Sequence, residues 1–186
     1  FYTYSMNVHI ASKGIELYGS EEQRRRWLPE LASGRAIGCY ALTEEGAGSD
    51  AGAAKTTATL SDGAYVLNGS KRYITNAPIA DLFTVFAATG VDKDDRPSLS
   101  AFVIERDTPG LVIGDAFQMA GGRGAYHSEV LFTDCRVPLE NRIGDEGDGF
   151  AIAMSALDAG RINWAAYCVG AAQNLLDMTI DHITTR

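Results

Sequence analysis

The sequence predicts an α+β protein, in which an antiparallel β-barrel or sandwich is flanked by helices and followed by one long helix. Three changes of pattern support this: a helical period before Arg35, short β-branched and aromatic runs through the middle, and a helical period from Gly149 onward. We therefore expect three sections, at 1–36, 37–145 and 146–186. A chain of 186 residues can bury a hydrophobic core without a disulfide or metal.

The first section predicts two helices. An earlier helix over residues 3–17 would turn three apolar side chains inward, namely Met6, Ile10 and Ile15. A second helix begins at Ser20, because Gln23 follows three residues later in the capping-box pattern. Gly34 can end this helix, since glycine tolerates the left-handed conformation common at helix C-termini.

The middle section predicts strands and tight turns. Its short runs are rich in β-branched and aromatic residues and are separated by Gly, Asp, Asn and Pro. Asp62-Gly63 predicts a two-residue β-hairpin turn. The polar segment 91–97 predicts an exposed loop.

The third section predicts a single helix of about 37 residues, which would be ~55 Å long. A small barrel cannot cover a stripe of that length, so the helix needs partner helices or a second subunit. No C-cap signal precedes the last residue. We expect the chain to be the central part of a longer protein. The stripe consists of Phe150, Met154, Leu157, Trp164, Val169, Leu176, Ile180 and Ile183.

Composition excludes several classes of protein. The net charge of −8 argues against a non-specific nucleic-acid binder, which needs a surplus of Lys and Arg. The cysteines Cys39, Cys135 and Cys168 are odd in number and lack metal-ligand spacing, so we expect free thiols and no metal site. No run of 18 apolar residues occurs, and we predict no membrane span.

The segment Cys39–Ala53 carries the chemistry. A strand ends at Thr43 and Glu44 and is followed by a glycine-rich turn that contains Gly48 and Ser49. Glycines let backbone N–H groups approach a ligand closely. Such a turn is by itself also typical of a plain hairpin, and it is neither the dinucleotide fingerprint nor a Walker loop.

The wider pattern resembles the acyl-CoA dehydrogenase family. That family's first signature is a small residue, an aliphatic residue, Ser or Thr, Glu, two residues, and then Gly-Ser/Thr-Asp. Further segments resemble the family in order along the chain, including "YITNA" and "FTDCRVP". The resemblance implies an N-terminal helical domain, a middle β domain and a C-terminal four-helix domain, here truncated after its first helix. The matching signature residues are Ala41, Leu42, Thr43, Glu44, Gly48, Ser49 and Asp50.

The resemblance also implies site residues. FAD would be bound by Tyr40, Leu42, Thr43, Gly48, Ser49, Tyr73, Ile74, Thr75 and, from a neighbouring subunit, Arg186. The acyl-CoA substrate would be bound by Ser49, Asp158 and Arg161. Tyr73 stands where the family usually has Trp, which offers a larger aromatic surface. Asp158 and Arg161 could instead form an ordinary helical salt bridge, and Arg186 could be a solvated residue.

The reaction implied by the resemblance is α,β-dehydrogenation of an acyl-CoA thioester. A glutamate removes the α-proton and the β-hydrogen leaves as hydride to flavin N5. The family places this base at one of two positions. Gly160 occupies one of them, so we expect no catalytic base within this chain and a glutamate beyond Arg186. The chain alone would then be inactive.

The resemblance further implies an electron-transfer flavoprotein as acceptor, a homodimer or homotetramer, and a bacterial cytoplasmic or mitochondrial matrix location. Acyl chain length is not implied.

Three alternatives stay open. A flavin-dependent acyl-CoA oxidase or monooxygenase would share the fold, and a non-catalytic homologue could keep FAD and CoA binding. A hydrolase built on Ser49 and His127 is disfavoured, because no nucleophile-elbow sequence is present.

Overall fold

A computed structural model describes residues 2–186, and its N-terminal part is helical. Residues 3–17 are not one regular helix, as the period predicted, because a π-helical segment and a break at Ser12 interrupt it. The buried Asn7 side chain in that segment donates to the Leu31 carbonyl and accepts from the Gly38 N–H, which ties the distorted turn to its neighbours. The elements are α1 (Tyr2–Ser5), the π-helical segment (Met6–Ala11), α2 (Lys13–Tyr18) and α3 (Glu21–Ser33).

The predicted caps of α3 are confirmed. The Ser20 hydroxyl accepts from the Gln23 N–H, and the Gln23 side chain accepts from the Ser20 N–H. Gly34 adopts a left-handed φ of 72° at the C-terminus. The helix buries Trp27 and Leu31 against the sheet.

Eight strands form one sheet. The predicted hairpin is confirmed, because Ser61 pairs with Ala64 across Asp62 and Gly63, both at positive φ. The strands are β1 (Gly38–Ala41), β2 (Thr57–Ser61), β3 (Ala64–Thr75), β4 (Leu82–Val91), β5 (Pro97–Glu105), β6 (Leu111–Ile113), β7 (His127–Pro138) and β8 (Arg142–Ile143). Their order in the sheet is β6-β7-β3-β2-β4-β5-β8, and β1 pairs with β4 off this path.

The sheet is mixed, which corrects the purely antiparallel prediction. Strand β1 runs parallel to β4, and β2 meets β4 in parallel at a single register position. The remaining pairings are antiparallel. Side-chain alternation reports which face of a strand is buried, not the direction of the neighbouring strand, so the sequence pattern could not show this.

The two faces of the sheet bury different cores. One apolar core gathers residues from strands at both ends of the sheet order, such as Phe102 of β5 and Val130 of β7, so the sheet curls around it. The other core lies between the sheet and the helices and includes Phe86, Trp27 and Ile152. This second layer fixes the position of the C-terminal helix against the sheet.

The C-terminal helix α4 (Gly149–Thr184) has the predicted length. Its first third is packed against the sheet and the π-helical segment through Ile152, Ala153, Ala156 and Gly160. Beyond that, most of its apolar side chains are exposed within residues 2–186, as the predicted need for partners implies, whereas Trp164 of the predicted stripe is half-buried. The exposed residues include Ile162, Val169, Leu175, Leu176, Met178, Ile180 and Ile183. None of the helices within residues 2–186 combines the length and the apolar character that a membrane span requires.

Candidate functional site

A cleft of about 440 Å³ lies where β1, the glycine-rich turn, the end of β3 and the start of α4 meet. Its volume is in the range of small-molecule sites. It brings together nine of the residues predicted for cofactor or substrate: Tyr40, Leu42, Thr43, Gly48, Ser49, Tyr73, Ile74, Thr75 and Arg161. It is also lined by Met6, Asp50, Ala51, Gly52, Phe150, Met154 and Leu157.

Strand β1 supplies an apolar wall that is locked to α4. The Tyr40 hydroxyl donates to the Ala153 carbonyl at 2.9 Å, and its ring packs on Phe86 with centroids 5.0 Å apart. Burial raises the pKa of Tyr40 far above its ordinary value, so the phenol stays neutral. Its hydroxyl is therefore occupied, and Tyr40 offers the cleft an aromatic surface.

The glycine-rich turn supplies unused hydrogen-bond donors. Glu44 and Ala47 exchange two backbone hydrogen bonds of 3.2 Å, which close the turn just before Gly48. The backbone N–H groups of Gly48 and Ser49 donate to no group of the described residues, nor do the hydroxyls of Thr43 and Ser49. A Cβ added at Gly48 would meet open space. Donors of this kind can bind carbonyl or ring-nitrogen acceptors of a ligand.

A buried ion pair lies beneath this turn. Lys71, fully buried, donates from Nζ to Glu44 Oε1 at 2.8 Å and to the Leu42 carbonyl at 3.2 Å. The same carboxylate accepts from the backbone N–H groups of Lys55 at 2.6 Å and Thr56 at 3.0 Å. Glu44 is thus committed to the shape of the turn, because three donors hold its carboxylate and lower its pKa, which makes it a poor base for proton abstraction.

The sequence reasoning missed this pair, although a signal was present. Lys71 lies an even number of residues from Tyr65 and Leu67 along β3, so the alternation of the strand places it on the same inward face. A lysine at an inward position needs a buried carboxylate partner.

The end of β3 is distorted at the cleft. The β3–β7 register shifts between Lys71 and Ile74, and Tyr73 in this bulge has a φ of 59°. A left-handed conformation is strained for a bulky residue, and bulges next to functional sites redirect side chains. Tyr73 is accordingly exposed, with its ring 5.2 Å from Phe117 and the Arg72 guanidinium 5.5 Å above it.

Ile74 and Thr75 follow this bulge. Ile74 returns to the core, and the Thr75 hydroxyl lies 3.0 Å from His127 Nδ1. His127 is therefore partnered by Thr75, and no hydrogen bond joins it to Ser49 among residues 2–186. This arrangement does not favour the hydrolase alternative.

Helix α4 supplies the facing wall. Phe150, Met154, Leu157 and Arg161 recur at helical spacing and line the cleft from one face. Phe150, Met154 and Leu157 belong to the predicted apolar stripe, but they were not predicted as site residues. Arg161 Nη1 lies 2.6 Å from Asp158 Oδ1, and both side chains are largely exposed. Asp158 itself is not part of the lining.

Two predicted positions lie away from the cleft. Gly160 is buried against the π-helical segment, and a Cβ there would lie 2.8 Å from Ile10 Cδ1 and 2.9 Å from Ile10 Cγ1. Close packing therefore accounts for glycine at this position. Arg186 follows the end of α4 and is exposed, roughly 37 Å along the helix axis from Arg161 at 1.5 Å per residue. It does not contribute to the cleft of its own chain.

Comparisons with known proteins match the three sections in order. The model of the acyl-CoA dehydrogenase N-terminal domain matches residues 1–35, the middle domain residues 39–135, and the C-terminal domain residues 147–186.

Individual relatives agree. An acyl-CoA dehydrogenase of Bacillus subtilis (strain 168) is 42% identical over 182 residues, which cover 98% of this chain and 48% of the relative. Butyryl-CoA dehydrogenase from Megasphaera elsdenii is 41% identical with a TM-score of 0.86, over 92% of this chain and 45% of that one. PigA with FAD and proline gives a TM-score of 0.94 at 34% identity, over 100% of this chain and 48% of that one.

The chain thus spans about half the length of the curated relatives it matches. Within that span, the three family models follow one another in chain order. Five of the seven residues of the family signature line one cleft, namely Leu42, Thr43, Gly48, Ser49 and Asp50. The resemblance seen in the sequence is therefore confirmed, and the chain belongs to the acyl-CoA dehydrogenase family.

Proposed function

We propose that this chain forms the flavin and substrate wall of an FAD-dependent enzyme that dehydrogenates an acyl-CoA thioester between its α and β carbons. The observation that carries the proposal is the convergence of nine predicted residues, from β1, the glycine-rich turn, β3 and α4, on one cleft. The neighbours named butyryl-CoA dehydrogenase and acyl-CoA dehydrogenase support the same reaction class.

The donor set of the cleft fits the ring system of FAD. Two free hydroxyls and two free backbone N–H groups complement the carbonyl and ring-nitrogen acceptors of an isoalloxazine, and Tyr40, Leu42 and Ile74 complement its apolar surface. When bound, FAD would supply the two-electron acceptor, which no side chain can replace. Thr43, Gly48, Ser49 and Thr75 would orient it, and the bulge would hold Tyr73 at its rim.

Arg161 is the residue we propose for the CoA portion of the substrate. It is the cationic side chain among the described lining residues, in a chain of net charge −8. A guanidinium can donate in a fixed fork to phosphate oxygens, so it would attract a polyanionic ligand to this end of the cleft. Asp158 would hold the Arg161 side chain in place from one turn earlier.

We place the catalytic base outside these 186 residues. Gly160 carries no carboxylate, and Glu44 is held by Lys71, Lys55 and Thr56. Because the chain spans about half of its relatives, the remaining half is the proposed source of the glutamate. We also propose an electron-transfer flavoprotein as acceptor, and domain boundaries near residues 36 and 146.

We further propose a homodimer or homotetramer, in which the exposed half of α4 is covered and Arg186 reaches the neighbouring subunit's FAD. Light scattering coupled to size exclusion measures the mass of the full-length protein. A monomer would contradict this proposal.

Anaerobic mixing of the full-length protein with butyryl-CoA tests the reaction. We expect the purified protein to contain bound FAD. We also expect the thioester to bleach the FAD absorbance at about 450 nm. A protein purified without FAD that also fails to take it up would favour the non-catalytic alternative.

A second candidate is a same-fold oxidase, which the likeness to the prolyl acyl carrier protein oxidase AnaB supports, at a TM-score of 0.88 and 38% identity. The same anaerobic experiment separates the two candidates. Rapid reoxidation of the bleached protein by air would favour the oxidase, and slow reoxidation would favour the dehydrogenase.

A further inference from the structure

We propose that His127 is a positioning residue that sets the direction of the hydrogen bond made by the Thr75 hydroxyl in the cleft. The inference rests on the proposed function, because it concerns how the cleft presents Thr75 to the flavin. Nothing in the sequence analysis gave His127 this role. It was considered there only as part of a disfavoured hydrolase.

The contact is built into the sheet. Thr75 and His127 are directly paired residues at the end of β3 and the beginning of β7. The pairing is continued by the Asn76 N–H, which donates to the Tyr126 carbonyl at 2.8 Å, and by the Phe117 N–H, which donates to the His127 carbonyl at 2.7 Å. The main chain around His127 is therefore held on both sides, and its imidazole Nδ1 lies 3.0 Å from Thr75 Oγ1.

The hydroxyl of Thr75 has one proton, so His127 Nδ1 and a ligand bound in the cleft compete to accept it. If His127 Nδ1 accepts that proton, Thr75 offers only lone pairs to a ligand in the cleft. If Nδ1 carries a proton and donates it, the Thr75 hydroxyl is free to donate into the cleft. Partial burial lowers the pKa of His127, which favours the neutral ring, and a neutral ring can adopt either tautomer.

The direction of the Thr75 hydrogen bond matters for a bound flavin. A ring nitrogen that accepts a hydrogen bond in oxidised FAD bears a proton and donates in the reduced cofactor. A hydroxyl whose direction can reverse suits both forms, whereas a hydroxyl with a fixed direction suits only one. His127 would thereby let one threonine stabilise both oxidation states.

A double-mutant cycle in the full-length protein tests this inference. We expect Thr75→Val and His127→Leu each to weaken FAD binding by about three- to tenfold, as for loss of one hydrogen bond. Both should shift the midpoint potential of the bound flavin in the same direction. Adding His127→Leu to Thr75→Val should change neither quantity further, because His127 acts through Thr75. His127→Asn should restore most of the loss, since its amide reaches the Nδ1 position.

Controls separate this role from simple packing. Thr133→Val, at an exposed position of β7 outside the lining of the cleft, should leave FAD affinity and potential unchanged. In FAD-free protein, Thr75→Val should change the tautomer balance of His127, which moves the ¹⁵N chemical shifts of Nδ1 and Nε2 in opposite directions. The midpoint potential is the readout that a purely structural role would leave unchanged. Thermal unfolding midpoints report whether each variant still folds.

The outcomes are distinguishable. If His127→Leu lowers affinity equally in the wild-type and Thr75→Val backgrounds, or has no effect in either, the inference is overturned while the proposed function stands. If wild-type protein binds no FAD, the proposed function itself fails and the inference with it.

Discussion

Glu44 illustrates at the residue scale how a signature side chain can be structural. It lies in the family signature beside a predicted flavin contact, yet its carboxylate is almost fully buried and is shared by Lys71, Lys55 and Thr56. The signature was recognisable through its resemblance to the family. The partner was not, because Lys71 lies 27 positions away and only the folded sheet brings it beneath the turn.

Glu44→Gln should destabilise the protein by about 3 kcal/mol, because it leaves the buried Lys71 ammonium without a counter-ion. Chemical denaturation measures this change. The matched control is Glu30→Gln, whose partner Arg35 is also 2.8 Å away but exposed, and which should leave the free energy of unfolding nearly unchanged. Equal losses in both variants would show that burial does not distinguish the pairs.

The same pair predicts a pH dependence. Burial alone would raise the pKa of Glu44, but the Lys71 ammonium and the donors of Lys55 and Thr56 outweigh it and hold the pKa below its ordinary 4.5. A carboxyl with a lowered folded-state pKa stabilises the fold above the unfolded-state value and loses this contribution as pH falls. Unfolding free energy should therefore drop below pH 4.5 in wild type and more weakly in Glu44→Gln.

Arg161→Gln should raise the KM for butyryl-CoA by about three- to tenfold, with the difference shrinking in high salt. Steady-state kinetics of the full-length enzyme measure it. Butyryl-N-acetylcysteamine lacks the nucleotide phosphates, so its KM should be unaffected. Arg24→Gln is the control variant, because Arg24 also lies three residues from its carboxylate partner on a helix but away from the cleft. An equal rise for both substrates would argue against a phosphate contact.

At the scale of elements, periodicity predicted most of the helices and strands. The caps of α3, the Asp62-Gly63 turn and the length of α4 were all predictable, because each depends on local residues. The parallel pairing of β1 with β4 and the bulge at Tyr73 were not, because they depend on contacts between distant segments. The bulge has the larger functional consequence, since it sets how Tyr73 and Thr75 meet the cleft.

Gly160 and Gly170 give a matched test of how α4 packs. Gly160→Ala should destabilise the 186-residue chain by about 1–2 kcal/mol, because the added methyl overlaps Ile10 and outweighs the better helix propensity of alanine. Gly170→Ala meets nothing within 4 Å among residues 2–186 and should stabilise it by up to about 1 kcal/mol. Thermal unfolding of both variants measures the contrast. Stabilisation by both would contradict the close contact with the π-helical segment.

At the scale of the whole molecule, the cleft is assembled from segments that are far apart in sequence. Its walls come from residues 40–52, 73–75 and 150–161, with Met6 at one end. Resemblance to a family identified most of these residues individually. Their meeting in one cleft depends on the curled sheet and on the Tyr40 hydrogen bond that fixes α4, which composition and periodicity do not report.

The central claim is that this cleft binds the flavin, and FAD content per chain in two glycine variants tests it most directly. Gly48 lines the cleft and Gly46 does not, yet an added Cβ meets open space at both. In the full-length protein we predict that Gly48→Trp fills the cleft and is purified without FAD, while Gly46→Trp retains one FAD per chain. Full FAD occupancy in the Gly48→Trp variant would contradict the account.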